Sequence, residues 1–179
     1  MNKDIDHVLV SEQQLEEKIA ELGAQITRDY QGKDLLLVSI LKGACVFLSD
    51  LMRAVDLPVA IDFMCVSSYG TGTVTQGRAK IMKDLDVDIA GKDVLIVEDI
   101  LDSGVTLSHV MEMLRSRKPA SLRLCSLLEK PERHKVHVPI DYVGFVVPDE
   151  FVVGYGLDYA EKYRNLPYVG VLKESVYSK

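Results

Sequence analysis

Nine residues, "EDILDSGVT" (98 to 106), hold the densest chemistry in this sequence. Glu98, Asp99 and Asp102 supply three carboxylates, and Ser103, Gly104 and Thr106 follow at once. Small hydroxylated residues around a glycine, just ahead of a helix, suit a phosphate monoester. Gly104 allows positive φ and close backbone approach, and Ser103 and Thr106 bring hydroxyls. The first helical turn offers free N–H groups, among them that of Val105, at the positive end of its dipole. Alone, "SGVT" reads more readily as an ordinary helix start with a turn glycine. The carboxylates change that balance, because acids beside a phosphate cradle repel the phosphate unless they have another task. Accepting hydrogen bonds from a ribose diol is one such task. Holding Mg²⁺ through carboxylate oxygens is another.

The flanking elements must aim these groups. "DVLIVED" (93–99) is an apolar run ending in the acids and reads as a strand covered on both faces. "TLSHVMEMLRSR" (106–117) places Leu107, Val110, Met111 and Leu114 on one helical face, and Pro119 stops it. Upstream, Ser11 and Gln14 form a capping-box pair, and Leu15, Ile19, Leu22 and Ile26 predict an amphipathic helix over 12–30. "DLLLVSI" (34–40) predicts a strand, "ACVFLSDLMRA" (44–54) a helix, and "VAIDFMCVSS" (59–68), "SLRLCSLLE" and "DYVGFVV" further strands. The alternation predicts an α/β fold: a mainly parallel twisted sheet flanked by helices. One domain over 1–179 is expected, with a core near 30–148 and a small hood from the N-terminal residues and the segment after Pro148. In such sheets ligands sit beyond the carboxyl ends of the strands, where residues 98–106 would lie.

Composition narrows the class. The chain has 179 residues, 47% hydrophobic and 27% charged, with a net charge of −6. That charge disfavours a nucleic-acid binder, since phosphate backbones select basic surfaces. No apolar run reaches the ~18 residues of a membrane span. "MNKDIDHVLVSEQQ" lacks an apolar signal core, so a cytoplasmic protein is expected. Cys45, Cys65 and Cys125 are far apart among apolar neighbours and are expected to be buried thiols.

"VLIVEDILDSGVTL" resembles the signature with which type I phosphoribosyltransferases bind 5-phosphoribosyl pyrophosphate (PRPP). "SILKGACVFLSDL", "SSYG", "LLEKPER" and "FVVGYGLDYAEKYRNLPYVG" match, in order, elements of the hypoxanthine-guanine members of that family. The resemblance covers roughly residues 8 to 176 and implies a purine-salvage transferase. A 6-oxopurine, hypoxanthine or also guanine, attacks C1′ of PRPP, releasing pyrophosphate and giving IMP or GMP.

The resemblance also implies roles. Asp102 is the general base at purine N7, and its backbone with residues 103–106 takes the 5′-phosphate. Glu98 and Asp99 face the ribose hydroxyls and metal, with Asp158 as a further metal-side acid near the base. Leu41, Lys42, Gly43 and Arg164 hold pyrophosphate. Lys130 donates to the O6 carbonyl, Phe151 stacks on the ring and Val152 offers backbone groups at its edge. Ser68 and Tyr69 belong to a lid that closes over PRPP. Mg²⁺ is the implied cofactor, and a homo-oligomer, dimer or tetramer, the implied assembly. Read without the resemblance, Lys42, Lys130, Asp158 and Arg164 are ordinary polar residues, Phe151 a core ring and Asp102 a helix N-cap.

Three other patterns carry less. In "GTGTVTQGR", Thr75 stands at the third glycine position of a dinucleotide fingerprint, and Arg78 replaces the P-loop lysine. His134 and His137 are expected at the surface and His109 in a structural role. A nucleotide-binding regulator on the same fold is the alternative from another class. A phosphoribosyltransferase preferring xanthine or another base is the enzymatic alternative.

Overall fold

A computed structural model of the chain describes residues 1–67 and 80–178. Ser68, Tyr69 and the "GTGTVTQGR" stretch lie outside the described residues. Strand β1 (Ile5–Val10) leads into helix α1 (Glu12–Asp29). The Ser11 side chain accepts from the Gln14 N–H and the Gln14 side chain from the Ser11 N–H, a complete capping box. Then come β2 (Leu35–Leu41), α2 (Cys45–Ala54), β3 (Ala60–Ser67), β4 (Lys80–Lys83) and β5 (Asp93–Leu101). Helix α3 (Val105–Ser116), β6 (Ser121–Glu129), β7 (Tyr142–Val146), β8 (Val152–Val153), β9 (Val169–Leu172) and one turn, α4 (Glu174–Tyr177), complete the chain.

The main sheet has six strands in the order β4-β3-β2-β5-β6-β7, all parallel except the edge strand β4. Helices cover both faces, so each central strand is apolar on both sides. Leu95 and Val97 of β5 pack with α1 and α2, through Leu15, Ile19, Leu22, Ile26, Phe47 and Leu51. Val94 and Ile96 pack on the opposite face with Leu107, Val110, Met111 and Leu114 of α3. Each such burial stabilises the fold by roughly 1.5–3 kcal/mol. A second antiparallel sheet, β1-β9-β8, joins the chain's first strand to its last.

Three expectations need correction. Strand β5 does not end at the acids; it runs on through Leu101, because Ile100 and Leu101 keep pairing with Leu128 and Glu129 of β6. Only Cys125 is a fully buried thiol; Cys45 and Cys65 are partly exposed, and all three are free. His134 is not a surface residue: it is largely covered, with Nε2 3.9 Å from Glu129 Oε1. Among the described residues no helix is long and apolar enough to cross a membrane.

Candidate active site

The acids of β5 alternate across the sheet, as successive strand residues must. Glu98 is buried, and the Ile40 N–H of the neighbouring strand donates to its Oε1 at 3.1 Å. Burial and the charge of Asp99 push its carboxyl well above the usual range. Asp99 turns the other way, towards the loop after β2. A Cβ on Gly43 would lie 2.0 Å from Asp99 Oδ2, so any larger residue there must displace that carboxylate. Burial raises Asp99 to about 6, against the hydrogen bond from the Ile100 N–H.

Beyond β5 the chain makes the loop that opens α3. Gly104 is the N-cap, with φ 78°, and a Cβ there would also lie 2.7 Å from the Val136 carbonyl oxygen. Ser103 Oγ accepts from the Val105 N–H at 3.4 Å. Glu98, Asp102, Ser103, Gly104 and Thr106 line a cavity of about 190 Å³. Asp102 does not cap the helix; Arg133 Nε donates to its Oδ1 at 2.5 Å.

A second cavity, of about 420 Å³, shares Ile100 and Asp102 with the first. Lys130, Phe151, Val152 and Leu157 are in its wall. Lys130 is 7% exposed, its Nζ donates to the Glu150 carbonyl at 2.5 Å, and burial lowers its pKa. Phe151 is 39% exposed, which sets aside a core role.

The peptide bond between Leu41 and Lys42 is cis. Lys42 Nζ donates to Glu161 Oε2 at 2.9 Å, and Arg164 Nη2 lies 3.4 Å from the other oxygen of that carboxylate. Arg164 also pairs with Asp158 at 2.8 Å and donates to the Gly156 carbonyl at 2.7 Å.

A phosphate-sized pocket and a ring-sized pocket therefore meet at Ile100 and Asp102, and Lys42 and Arg164 gather on Glu161. The phosphoribosyl transferase domain family matches residues 9–160. The hypoxanthine-guanine phosphoribosyltransferase of Bacillus subtilis is 53% identical over 177 residues, 99% of this chain and 98% of that protein. The chain belongs to the hypoxanthine-guanine phosphoribosyltransferases. A crystal structure of the Staphylococcus aureus hypoxanthine phosphoribosyltransferase superposes on this member with a TM-score of 0.96 at 54% identity, covering 100% of this chain and 97% of the other. The bifunctional TilS/HprT protein of Listeria monocytogenes is 55% identical across the whole chain, which spans 28% of that protein's length.

In this family member, Asp102, Ser103, Gly104 and Thr106 gather at one pocket with Glu98, and Lys130, Phe151 and Val152 at the other; Val105 is not in the wall of either. Asp158 is not in the wall of the ring-sized cavity; its neighbour Leu157 is. Nor do Glu98, Asp99 and Asp158 form one metal cluster, and among the described residues no group of three or more such ligands does. Glu98 and Asp99 face opposite ways, and Asp158 is tied to Arg164 and to the Glu161 N–H. Sequence reasoning missed Arg133, Glu161 and Tyr177. The first two are charges in polar turns, and the third stands near the chain end in no motif.

Proposed function

We propose that this enzyme transfers the phosphoribosyl group of PRPP to hypoxanthine, and to guanine, with Asp102 as the general base. The observation that carries the reading is the junction of the two cavities at Ile100 and Asp102. A nucleoside 5′-monophosphate is a ring and a phosphate separated by a sugar, and a proton acceptor belongs between them.

The 5′-phosphate is received by the loop of Ser103, Gly104, Val105 and Thr106, through hydroxyls and N–H groups at the start of α3. The purine enters the larger cavity, with Phe151 on one face and Lys130 at O6. An ammonium donates to a carbonyl and has nothing to accept from the 6-amino group of adenine, so adenine is rejected. As a ring nitrogen attacks C1′, the proton at N7 passes to Asp102, which must first release Arg133. Glu98, in the wall of the smaller cavity, would when ionised favour the positive charge that develops on the sugar. Lys42 and Arg164 receive the departing pyrophosphate once Glu161 gives them up.

The donor set fits Mg²⁺, which takes one or two carboxylates and completes its shell with water and substrate oxygens. Glu98 and Asp99 are hard oxygen donors on opposite sides of β5, so an ion would take one of the two; Glu98 is buried with one backbone N–H as its hydrogen-bond partner among the described residues. A cation there would favour the ionised carboxylates. When bound, Mg²⁺ supplies charge neutralisation for the pyrophosphate.

The test is an absorbance assay with PRPP and Mg²⁺, offering hypoxanthine, guanine, xanthine and adenine separately. Turnover of hypoxanthine or guanine, with none of adenine, is expected. Turnover of adenine would remove Lys130 as the O6 donor. Binding of PRPP without turnover of any base would make the protein a nucleotide-binding regulator.

A further inference from the structure

One turn of the chain has a backbone that its residues do not favour. The backbones of Tyr159 and Lys162 bond each other both ways, at 3.1 and 3.0 Å, around a two-residue turn of Ala160 and Glu161. Both central residues have positive φ, 51° and 62°, and Tyr163 follows at 76°. Turns with positive φ at both central positions select Asn-Gly or Asp-Gly, because other side chains strain a left-handed backbone. Ala-Glu is a poor sequence for that task. Strain kept at such a place points to work done by a side chain.

The Glu161 carboxylate divides itself between two cations. One oxygen accepts from Lys42 Nζ, 119 positions away in the chain, at 2.9 Å, and the other lies 3.4 Å from Arg164 Nη2. The hydrogen bond from Lys42 holds the carboxyl below its usual range, so it is ionised at neutral pH. Asp158 is the other acid on Arg164, at 2.8 Å, but its second oxygen accepts the Glu161 N–H at 2.9 Å and belongs to the turn. Arg164 is also held by the Gly156 carbonyl, at 2.7 Å. The side chains of Glu161 and Lys42 are instead open to water, 65% and 67% exposed. The turn and Arg164 are fixed, and the Glu161 carboxylate has room to swing away.

We propose that Glu161 is a positioning residue for pyrophosphate: a tethered anion that holds Lys42 and Arg164 between turnovers, yields them to the pyrophosphate group of PRPP and takes them back as pyrophosphate leaves. The proposal rests on the reading of these two cations as the pyrophosphate cradle, and it names what limits the grip of that cradle. A site that is available for only a fraction of the time binds its ligand more weakly by that fraction. The turn keeps the competing carboxylate at high effective concentration. Exposed ion pairs are individually weak, so the competition is moderate and the substrate wins. The effect belongs to the pyrophosphate side alone, because Glu161 is in the wall of neither the ring-sized nor the phosphate-sized cavity.

The experiment uses the full chain with Glu161→Gln, which keeps the shape and removes the charge, and Glu161→Gly, which also suits the turn. Inorganic pyrophosphate is titrated calorimetrically in the presence of Mg²⁺, and KM is measured for PRPP and for hypoxanthine separately. Both variants should bind pyrophosphate about 2- to 10-fold more tightly, the worth of the two exposed pairs. KM for PRPP should fall by a similar factor, and KM for hypoxanthine should stay unchanged. The gain over wild type should shrink at about 1 M salt, where charges act over only about 3 Å. A residue that merely braced the turn would give the opposite sign, since its loss would loosen Arg164. Unchanged or weaker pyrophosphate binding in Glu161→Gln therefore overturns the proposal, and so does a gain that 1 M salt leaves intact. Lys42→Ala and Arg164→Ala test the cradle itself. If neither weakens pyrophosphate binding, the cradle reading fails. If both weaken it and Glu161→Gln changes nothing, the role of Glu161 alone is lost.

Discussion

Replacing Asp102 with asparagine separates two tasks of one side chain. The first is the pair with Arg133, at 2.5 Å. Both side chains are nearly half exposed, 43% and 49%, so water screens the pair and it is worth at most about 1 kcal/mol. Asparagine keeps the shape and an oxygen that accepts from Arg133 Nε. The melting temperature should therefore move by no more than about 4 °C. The second task is to take a proton, which a neutral amide does not do. Loss of a general base costs about 10²- to 10⁴-fold in rate, or about 2.7–5.5 kcal/mol of barrier. The phosphate loop is untouched, so KM for PRPP should change by less than about 3-fold, since uniform binding is kept. The assay is steady-state nucleotide formation at saturating hypoxanthine, with a melting curve on the same sample. A kcat within about 3-fold of wild type would remove Asp102 from proton transfer. A fall in kcat matched by a large loss of stability would make its role structural.

Gly43→Ala should leave a folded protein with its site deformed, because the new Cβ would lie 2.0 Å from Asp99 Oδ2; overpacking of this kind costs about 1–3 kcal/mol. Calorimetry and the nucleotide assay check it, and wild-type turnover would show that the Asp99 carboxylate is free to move. Gly104→Ala forces a left-handed backbone on alanine, for about 1–2 kcal/mol, and brings Cβ to 2.7 Å from the Val136 carbonyl oxygen. KM for PRPP should rise more than KM for hypoxanthine, and the reverse order would detach this loop from phosphate binding. The buried acids also set a pH dependence. Their folded pKa values lie above the unfolded ones, so the stability they contribute is full below about pH 4. It is lost as pH rises through the raised values, about 6 for Asp99. Glu98→Gln should therefore raise the melting temperature of the free protein at pH 8 more than at pH 5. An identical pH slope in variant and wild type would contradict the burial argument.

What a sequence reader can see here is what is local. Ser11 and Gln14 mark the start of α1 because capping depends on residues three apart, and the loop at 102–106 is continuous in the chain. Alternation along β5 places its apolar residues on both faces, and the same rule would have separated Glu98 from Asp99. Partners from distant segments leave no such trace. Arg133 reaches Asp102 from a polar turn, Glu161 bridges Lys42 and Arg164 across more than a hundred residues, and Tyr177 meets Phe151 only through β9. His134 looked exposed because its neighbours in sequence are charged, yet its side chain is only 18% exposed and lies beside Glu129.

The small sheet β1-β9-β8 has a consequence for the making of the molecule. Its first strand leaves a ribosome well before the strand it pairs with. Ile5 waits for Leu172, and closing so long a loop carries a high entropic cost. The loop for the 5′-phosphate, complete in sequence by Thr106, can take shape while synthesis continues. The base half cannot, because the backbone of Phe151 is paired only when Leu172 arrives. A chain cut just before Leu172 would keep the loop for the 5′-phosphate and lose the pairing that holds Phe151 in the wall of the larger cavity. Loss of that wall would leave an inert protein rather than a careless one.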